Sequence, residues 1–205
     1  MNQPQIVSLH AQGNTQMLYL TCSSLSADDR RIYLISDRTG APNVFTRELA
    51  TGEERMLTRN NAGTLKSYVY FDGTRDIGLG KASVCLDPVR EIVYFIQNRD
   101  ICAVGPDGEI RILNQLPENQ MTAFTHVSYD GRYLCVPTTD ARILEYDPDT
   151  EGYGLDKRPR YDIDARVQQE NLNSCLHVYD TQTGRETLSE TVPRCWITHV
   201  QFHPA

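Results

Sequence analysis

The sequence predicts an all-β fold, a β-propeller of four-stranded antiparallel blades, on three observations. A strand–turn–strand unit recurs along the chain. Its strands are short runs of β-branched and aromatic residues bounded by turn formers. No stretch of helical length carries a convincing apolar stripe. The unit is clearest over residues 26–58, SADDRRIYLISDRTGAPNVFTRELATGEERMLT. A polar turn at Ala27-Asp28-Asp29 leads into the strand Ile32–Ile35, and a second turn at Ser36–Gly40 leads into Asn43–Leu49. Thr51-Gly52 then supplies the backbone freedom to reverse the chain before the short strand Glu54–Leu57.

The unit returns at 86–113, LDPVREIVYFIQNRDICAVGPDGEIRIL, with Asp107-Gly108 at the last reversal. It begins again at 128–140, SYDGRYLCVPTTD, and is completed after an interruption by 175–190, CLHVYDTQTGRETLSE. The last residues, HVQFHPA, have the pattern of an innermost strand opening a fourth unit. Taking Asp28, Asp87, Asp130 and His203 as equivalent turn positions, the middle interval matches the roughly 40–45 residues of one blade, and the outer two carry insertions of about 16 and about 30 residues. The organisation read from the chain is one partial propeller domain over 1–205, about three and a half blades. Blade units are expected at about 15–58, 82–113 and 123–190, the last with an insertion at 139–174, and a further blade begins at 197–205.

Composition narrows the function classes. The 205 residues and 40% hydrophobic content suit a globular core. A formal charge of −7 argues against nucleic acid as a general partner. The basic run Lys157-Arg158-Pro159-Arg160 reads as a solvated loop or as a local contact for an anion. No apolar run is long enough for a membrane span, and the start MNQPQIVSLH lacks the pattern of a secretion signal, so the cytoplasm is the expected compartment. Six cysteines at 22, 85, 102, 135, 175 and 195 show no metal-type spacing, and most fall at apolar strand positions as small hydrophobes. No nucleophile elbow, phosphate loop or zinc-protease motif is present.

Propeller geometry places the blade-to-blade connections, and those between a blade's second and third strands, on one face. The stretches 59–81, 139–174 and 191–198 therefore meet on one rim, where they form either tolerated surface loops or a binding surface. In Trp196–Pro204, strand alternation sets His199, Gln201 and His203 on one side and Val200 and Phe202 on the other. Imidazole and amide groups on an inner strand suit a divalent cation, a carboxylate or a sugar hydroxyl. His203 also fits a plain turn position, and Trp196 serves either as a packing anchor or as a stacking platform for a sugar ring.

The segment SDRTGAPNVFTRELATGEERMLT resembles the repeat of TolB-type propellers. The order of features resembles more specifically the oligogalacturonate lyase family of pectin-degrading enzymes. Those features are Asn14–Leu20 before the first blade turn, Glu48-Leu49-Ala50-Thr51-Gly52-Glu53, and the ending Trp196-Ile197-Thr198-His199-x-x-Phe202-x-Pro204. The resemblance implies a seven-bladed propeller that cleaves short acidic oligosaccharides by β-elimination, a base removing the uronate C5 proton while a divalent cation, manganese, offsets charge on the carboxylate. In that family several histidines and a glutamine, mostly in the second half, hold the metal, so no metal ligand and no catalytic base is carried onto this chain. The resemblance passes a substrate-contact role to His199 alone; Gln201 and Trp196 join it as substrate-binding candidates from the reading of the residues themselves. Self-association that closes the ring is a further expectation, and a non-catalytic scaffold for sugar or protein is the alternative function.

Overall fold

The computed structural model describes residues 13–62, 79, 83–144 and 162–203. Much of the stretches 59–81 and 139–174 expected on the rim, the basic run at 157–160, and Pro204 lie outside the described residues. Three antiparallel sheets follow one another along the chain. The first contains β1 (Thr15–Met17), β2 (Arg31–Ser36), β3 (Asn43–Glu48) and β4 (Glu54–Met56) in that order. The second contains β5 (Cys85–Asp87), β6 (Ile92–Gln97), β7 (Asp100–Val104) and β8 (Ile110–Gln115). The third has a divided inner strand, β9 (Gln120–Thr122) and β10 (His126–Val127), followed by β11 (Tyr133–Asp140), β12 (Ser174–Asp180) and β13 (Glu186–Val192). Each sheet is a blade of a β-propeller.

Blade-on-blade packing follows from strand alternation. In β6, Val93 and Phe95 point toward blade 1 and join Tyr33, Ile35, Val44 and Leu57. Their neighbours Tyr94 and Ile96 point toward blade 3 and join Leu134, Val136 and Tyr179. Both faces of a middle blade are thus buried, so the run IVYFI before Gln97 is apolar throughout and does not alternate with polar residues as a half-exposed strand would. Each of these large side chains contributes about 1.5–3 kcal/mol by leaving water. Closeness of packing is visible at Gly184, whose φ is +72° and where an added Cβ would lie 2.1 Å from the Leu113 carbonyl oxygen of blade 2.

Repeat equivalence differs in one place from the sequence reading. Ser26 and Ser128 open their turns identically, each hydroxyl donating to the carboxylate two residues on, Asp28 and Asp130, at 2.7 and 2.6 Å. In blade 2 the corresponding first position is Asp87 itself, which pairs with Ile92 and whose Oδ1 accepts from the Val89 and Arg90 amides at 3.0 Å. Asp87 therefore matches Ser26 and Ser128, two residues earlier than Asp28 and Asp130. A carboxylate closes an Asx turn from either position, which is why residue type alone misplaces the register.

The excursion between β11 and β12 contains a 3₁₀ turn at Ala141–Leu144 and, among the described residues, one α-helix, α1 (Ile163–Gln169). Asp162 caps α1, its carboxylate accepting from the Ala165 amide at 3.0 Å. Asn171, at φ +51°, turns the chain back after the helix. With only Ile163 and Val167 turned inward, two positions four apart, α1 is too short for the stripe that periodicity detects. All six cysteines are free thiols. No helix among the described residues is long and apolar enough to cross a membrane.

Candidate ligand site at the channel axis

The inner strands of blades 1 and 3 both leave their partner strand midway, and the released segments meet at the axis. In blade 1 the chain parts from β2 after Met17, turns through a Cys22-to-Tyr19 backbone hydrogen bond of 3.1 Å, and rejoins at Leu25. In blade 3 the gap between β9 and β10 carries Ala123, Phe124 and Thr125, with the Thr125 hydroxyl donating to the Ser83 carbonyl of blade 2 at 2.8 Å. The last described residues run beside this gap. Phe124 donates its amide to the Thr198 carbonyl at 3.1 Å and forms a parallel bridge with His199. Residues 197–203 thus occupy the place of a next inner strand but make no regular ladder.

Three rings converge there. Tyr19 stacks on Phe124 with centroids 3.7 Å apart, and Phe124 stacks on His199 at 4.4 Å. The Tyr19 hydroxyl lies 3.3 Å from His199 Nε2, and the Thr198 hydroxyl lies 2.7 Å from His199 Nδ1. One ring nitrogen of a neutral imidazole donates and the other accepts, so both nitrogens of His199 are engaged. The ring is exposed on one side and carries its hydrogen-bonding edge toward Tyr19. Sequence reading pointed to His199 but missed Tyr19 and Phe124. Their only signal is an aromatic at the interruption of each inner strand, and interruptions are invisible to a period-2 pattern.

Beside these rings lies a cavity of about 220 Å³ contributed by all three blades. Thr21, Cys22 and Ser23 come from blade 1, Leu86, Pro88 and Val89 from blade 2, and His126 to Tyr129 from blade 3; Gln201 and Phe202 close it. Among the described residues no Lys or Arg lines it. His126 accepts the Phe202 amide at Nδ1, 3.2 Å away, and bonds to the Thr21 backbone. Burial holds its basicity below that of an ordinary histidine, against the opposing effect of the Thr21 bond. Burial likewise pushes the Cys22 thiol up to about 11, so it stays protonated and unreactive.

His199 and Gln201 are both at the axis, and His203 is exposed beyond them. Trp196 is elsewhere. Its indole packs against the cluster of Met121, Ile143, Val167 and Leu172, and its Nε1 donates to Asp164 of α1 at 2.7 Å. A carboxylate–imidazole–hydroxyl series also exists in blade 3, with Glu186 Oε1 at 2.5 Å from His177 Nδ1 and Thr138 Oγ1 at 3.1 Å from Nε2. Thr138 is 1% exposed, so the hydroxyl end of this series is closed to solvent and the series ties β11, β12 and β13 together.

The described residues do not fit a divalent cation. Among them no three His, Cys, Asp or Glu side chains group as a metal site. His199, His177 and His126 each commit ring nitrogens to hydrogen bonds within the protein.

No family model matches the sequence, and no curated protein matches it. Solved structures do match in fold. An oligogalacturonate lyase in complex with manganese superposes with a TM-score of 0.67 at 15% identity, covering 93% of this chain and 44% of the lyase. An oligogalacturonate lyase from Vibrio parahaemolyticus gives 0.63 at 16% identity, again covering 93% of this chain and 44% of that one. A TolB protein from Agrobacterium tumefaciens gives 0.47 at 16% identity over 82% of this chain and 46% of that one. The chain therefore spans less than half the length of the lyases it resembles, and the propeller fold expected from its repeat is the fold it has.

Proposed function

We propose that this chain is the axial-site half of an oligogalacturonate lyase-like propeller, taking a short acidic oligosaccharide at the channel axis. One observation carries the reading: nearly the whole chain superposes on such lyases, and His199 stands among aromatic rings at the axis. An aromatic face such as that of the half-buried Tyr19, held by the buried Phe124 behind it, is suited to the apolar face of a sugar ring, and the exposed Gln201 amide to its hydroxyls. Abstraction of a uronate C5 proton needs a base and charge stabilisation at the carboxylate. The manganese named with one lyase has no counterpart set among the described residues, so no step is assigned to a metal here.

The cavity favours a second reading. Among the described residues its lining has no Lys or Arg to meet a carboxylate, which suits a non-catalytic scaffold for a neutral sugar or a protein segment. Incubation with trigalacturonate, with and without manganese, separates the two. An unsaturated product absorbing in the ultraviolet and abolished by chelator supports the lyase. Binding without product supports an axial uronate site that is not catalytic, and absence of both leaves the scaffold for a neutral sugar or a protein segment. If wild type and His199→Ala bind trigalacturonate equally, or neither binds it, the axial uronate site is wrong.

A further inference from the structure

Two stretches of chain far apart in sequence are fastened together beside the axis. The first is the docked end of the excursion between β11 and β12, residues 162–174; the second is the connection 194–198. Trp196 Nε1 donates to Asp164 Oδ1 at 2.7 Å, and the Gln168 amide donates to the Arg194 carbonyl at 2.9 Å. Arg194 returns two bonds, from Nε to Asn171 Oδ1 at 2.9 Å and from its backbone amide to Asn173 Oδ1 at 3.1 Å. Ser174 Oγ donates to the Cys195 carbonyl at 2.8 Å and lies 3.0 Å from the Ile197 amide, which donates to it. The Trp196 and Ile163 side chains share one apolar cluster with Val167 and Leu172.

The residues that follow are held more sparsely. Among the described residues, the backbone between His199 and His203 gains one bridge, to Phe124, and the Phe202-to-His126 bond. Where His199 and Gln201 stand is therefore decided chiefly by the anchorage just before them. We infer that α1, acting through Asp164 and Trp196, positions the axial segment, so that residues 162–174 and the axial site move as one unit. Asp164 and Trp196 are positioning residues; neither touches the cavity.

Amide hydrogen exchange on the full chain tests the inference without any ligand. A bond between an indole N–H and a carboxylate belongs to the stronger, charge-assisted class, so Asp164→Ala is expected to speed exchange at 197–202 about tenfold. Asp164→Asn keeps an acceptor oxygen and should have a smaller effect. Trp196→Phe keeps an aromatic ring in the cluster but removes the donor, and should match Asp164→Ala. The double variant should exceed neither single one, since both break the same bond. Amides of β2, β3, β6 and β7 should be unchanged. Unaltered exchange at 197–202, or a uniform rise across all blades, overturns the inference. Calorimetric titration with trigalacturonate adds an arm that rests on the proposed uronate reading. Binding weakened about tenfold in affinity by Asp164→Ala supports both. The exchange effect without any binding supports the positioning role and counts against the uronate ligand.

Discussion

His126 illustrates how much chemistry one side chain fixes at this axis. Its Nδ1 accepts from the Phe202 amide, so the neutral ring carries its proton on Nε2, and a second proton would set donor against donor. Burial adds to this by disfavouring the charged form. The sign follows from linkage. The folded-state pKa is below the unfolded value of about 6.5, so the unfolded chain takes up a proton before the folded chain does. The contribution is fully present above pH 6.5 and is lost as the pH falls through the folded value. Melting temperature followed from pH 7.5 to 5 should therefore decline, and His126→Gln, which cannot titrate, should decline less. The carboxylates of Asp28, Asp130 and Asp180 are lowered chiefly by hydrogen bonds in their turns, so their contribution is lost only at more acid pH. Equal slopes for wild type and variant would remove His126 from the pH response. Nothing in the sequence distinguishes this histidine. His199 was legible because it falls in a patterned ending, whereas the surroundings of His126 depend on Thr21 and Phe202, which only the folded chain brings to it.

Between elements, a repeated device joins each blade to the next. Arg55 of β4 reaches the Pro106 and Asp107 carbonyls in the outer turn of blade 2. Arg111 of β8 reaches the Gln182 and Thr181 carbonyls in the outer turn of blade 3, at 2.9 and 2.8 Å. The two arginines are equivalent by register, each pairing with the residue, Thr46 or Ala103, that itself pairs with a tyrosine of the second strand. The same register in β13 gives Leu188, which is 52% exposed. Arg111→Met keeps the aliphatic stem and removes the donors. It should cost about 1 kcal/mol, since the site is exposed and only the surplus over water is lost. Exchange should rise at the 181–184 turn while the 106–108 turn is unaffected; a change at both would mean that the arginines do not act between single pairs of blades. Strands and outer turns were legible because Thr-Gly, Asp-Gly and β-branched runs encode them locally. The helix α1 was not, because its stability comes from docking on Trp196 and Ile143, long-range contacts with no local signature.

At the scale of the whole molecule, the open ends of the three-blade stack decide whether copies join. The face of blade 1 that points away from blade 2 carries Phe45 and Leu34, as the sheet pattern requires, but Arg38 lies 3.8 Å over the Phe45 ring. Glu54 pairs with Arg38 at 2.6 Å and with Arg47 at 3.3 Å. Arg47 stands where the register places Val104 in blade 2 and Tyr179 in blade 3. A charged cluster therefore covers this end where the other blades are apolar. On the far face of blade 3, α1 and Trp196 cover Met121, leaving Leu176 and Val178 half-buried beside Leu188. Closing a ring from two copies would take out of water what remains exposed of the Arg38–Glu54–Arg47 cluster, whose side chains are 16%, 26% and 20% exposed, and the desolvation of ions offsets what apolar contact contributes. Sedimentation at micromolar concentration should therefore give a monomer. Arg47→Val, which restores the residue class found in blade 2, should increase association if the charge is what prevents it. A wild-type dimer, dissociated by Leu188→Glu, would show instead that the ends pair and that the expected self-association of this chain is real.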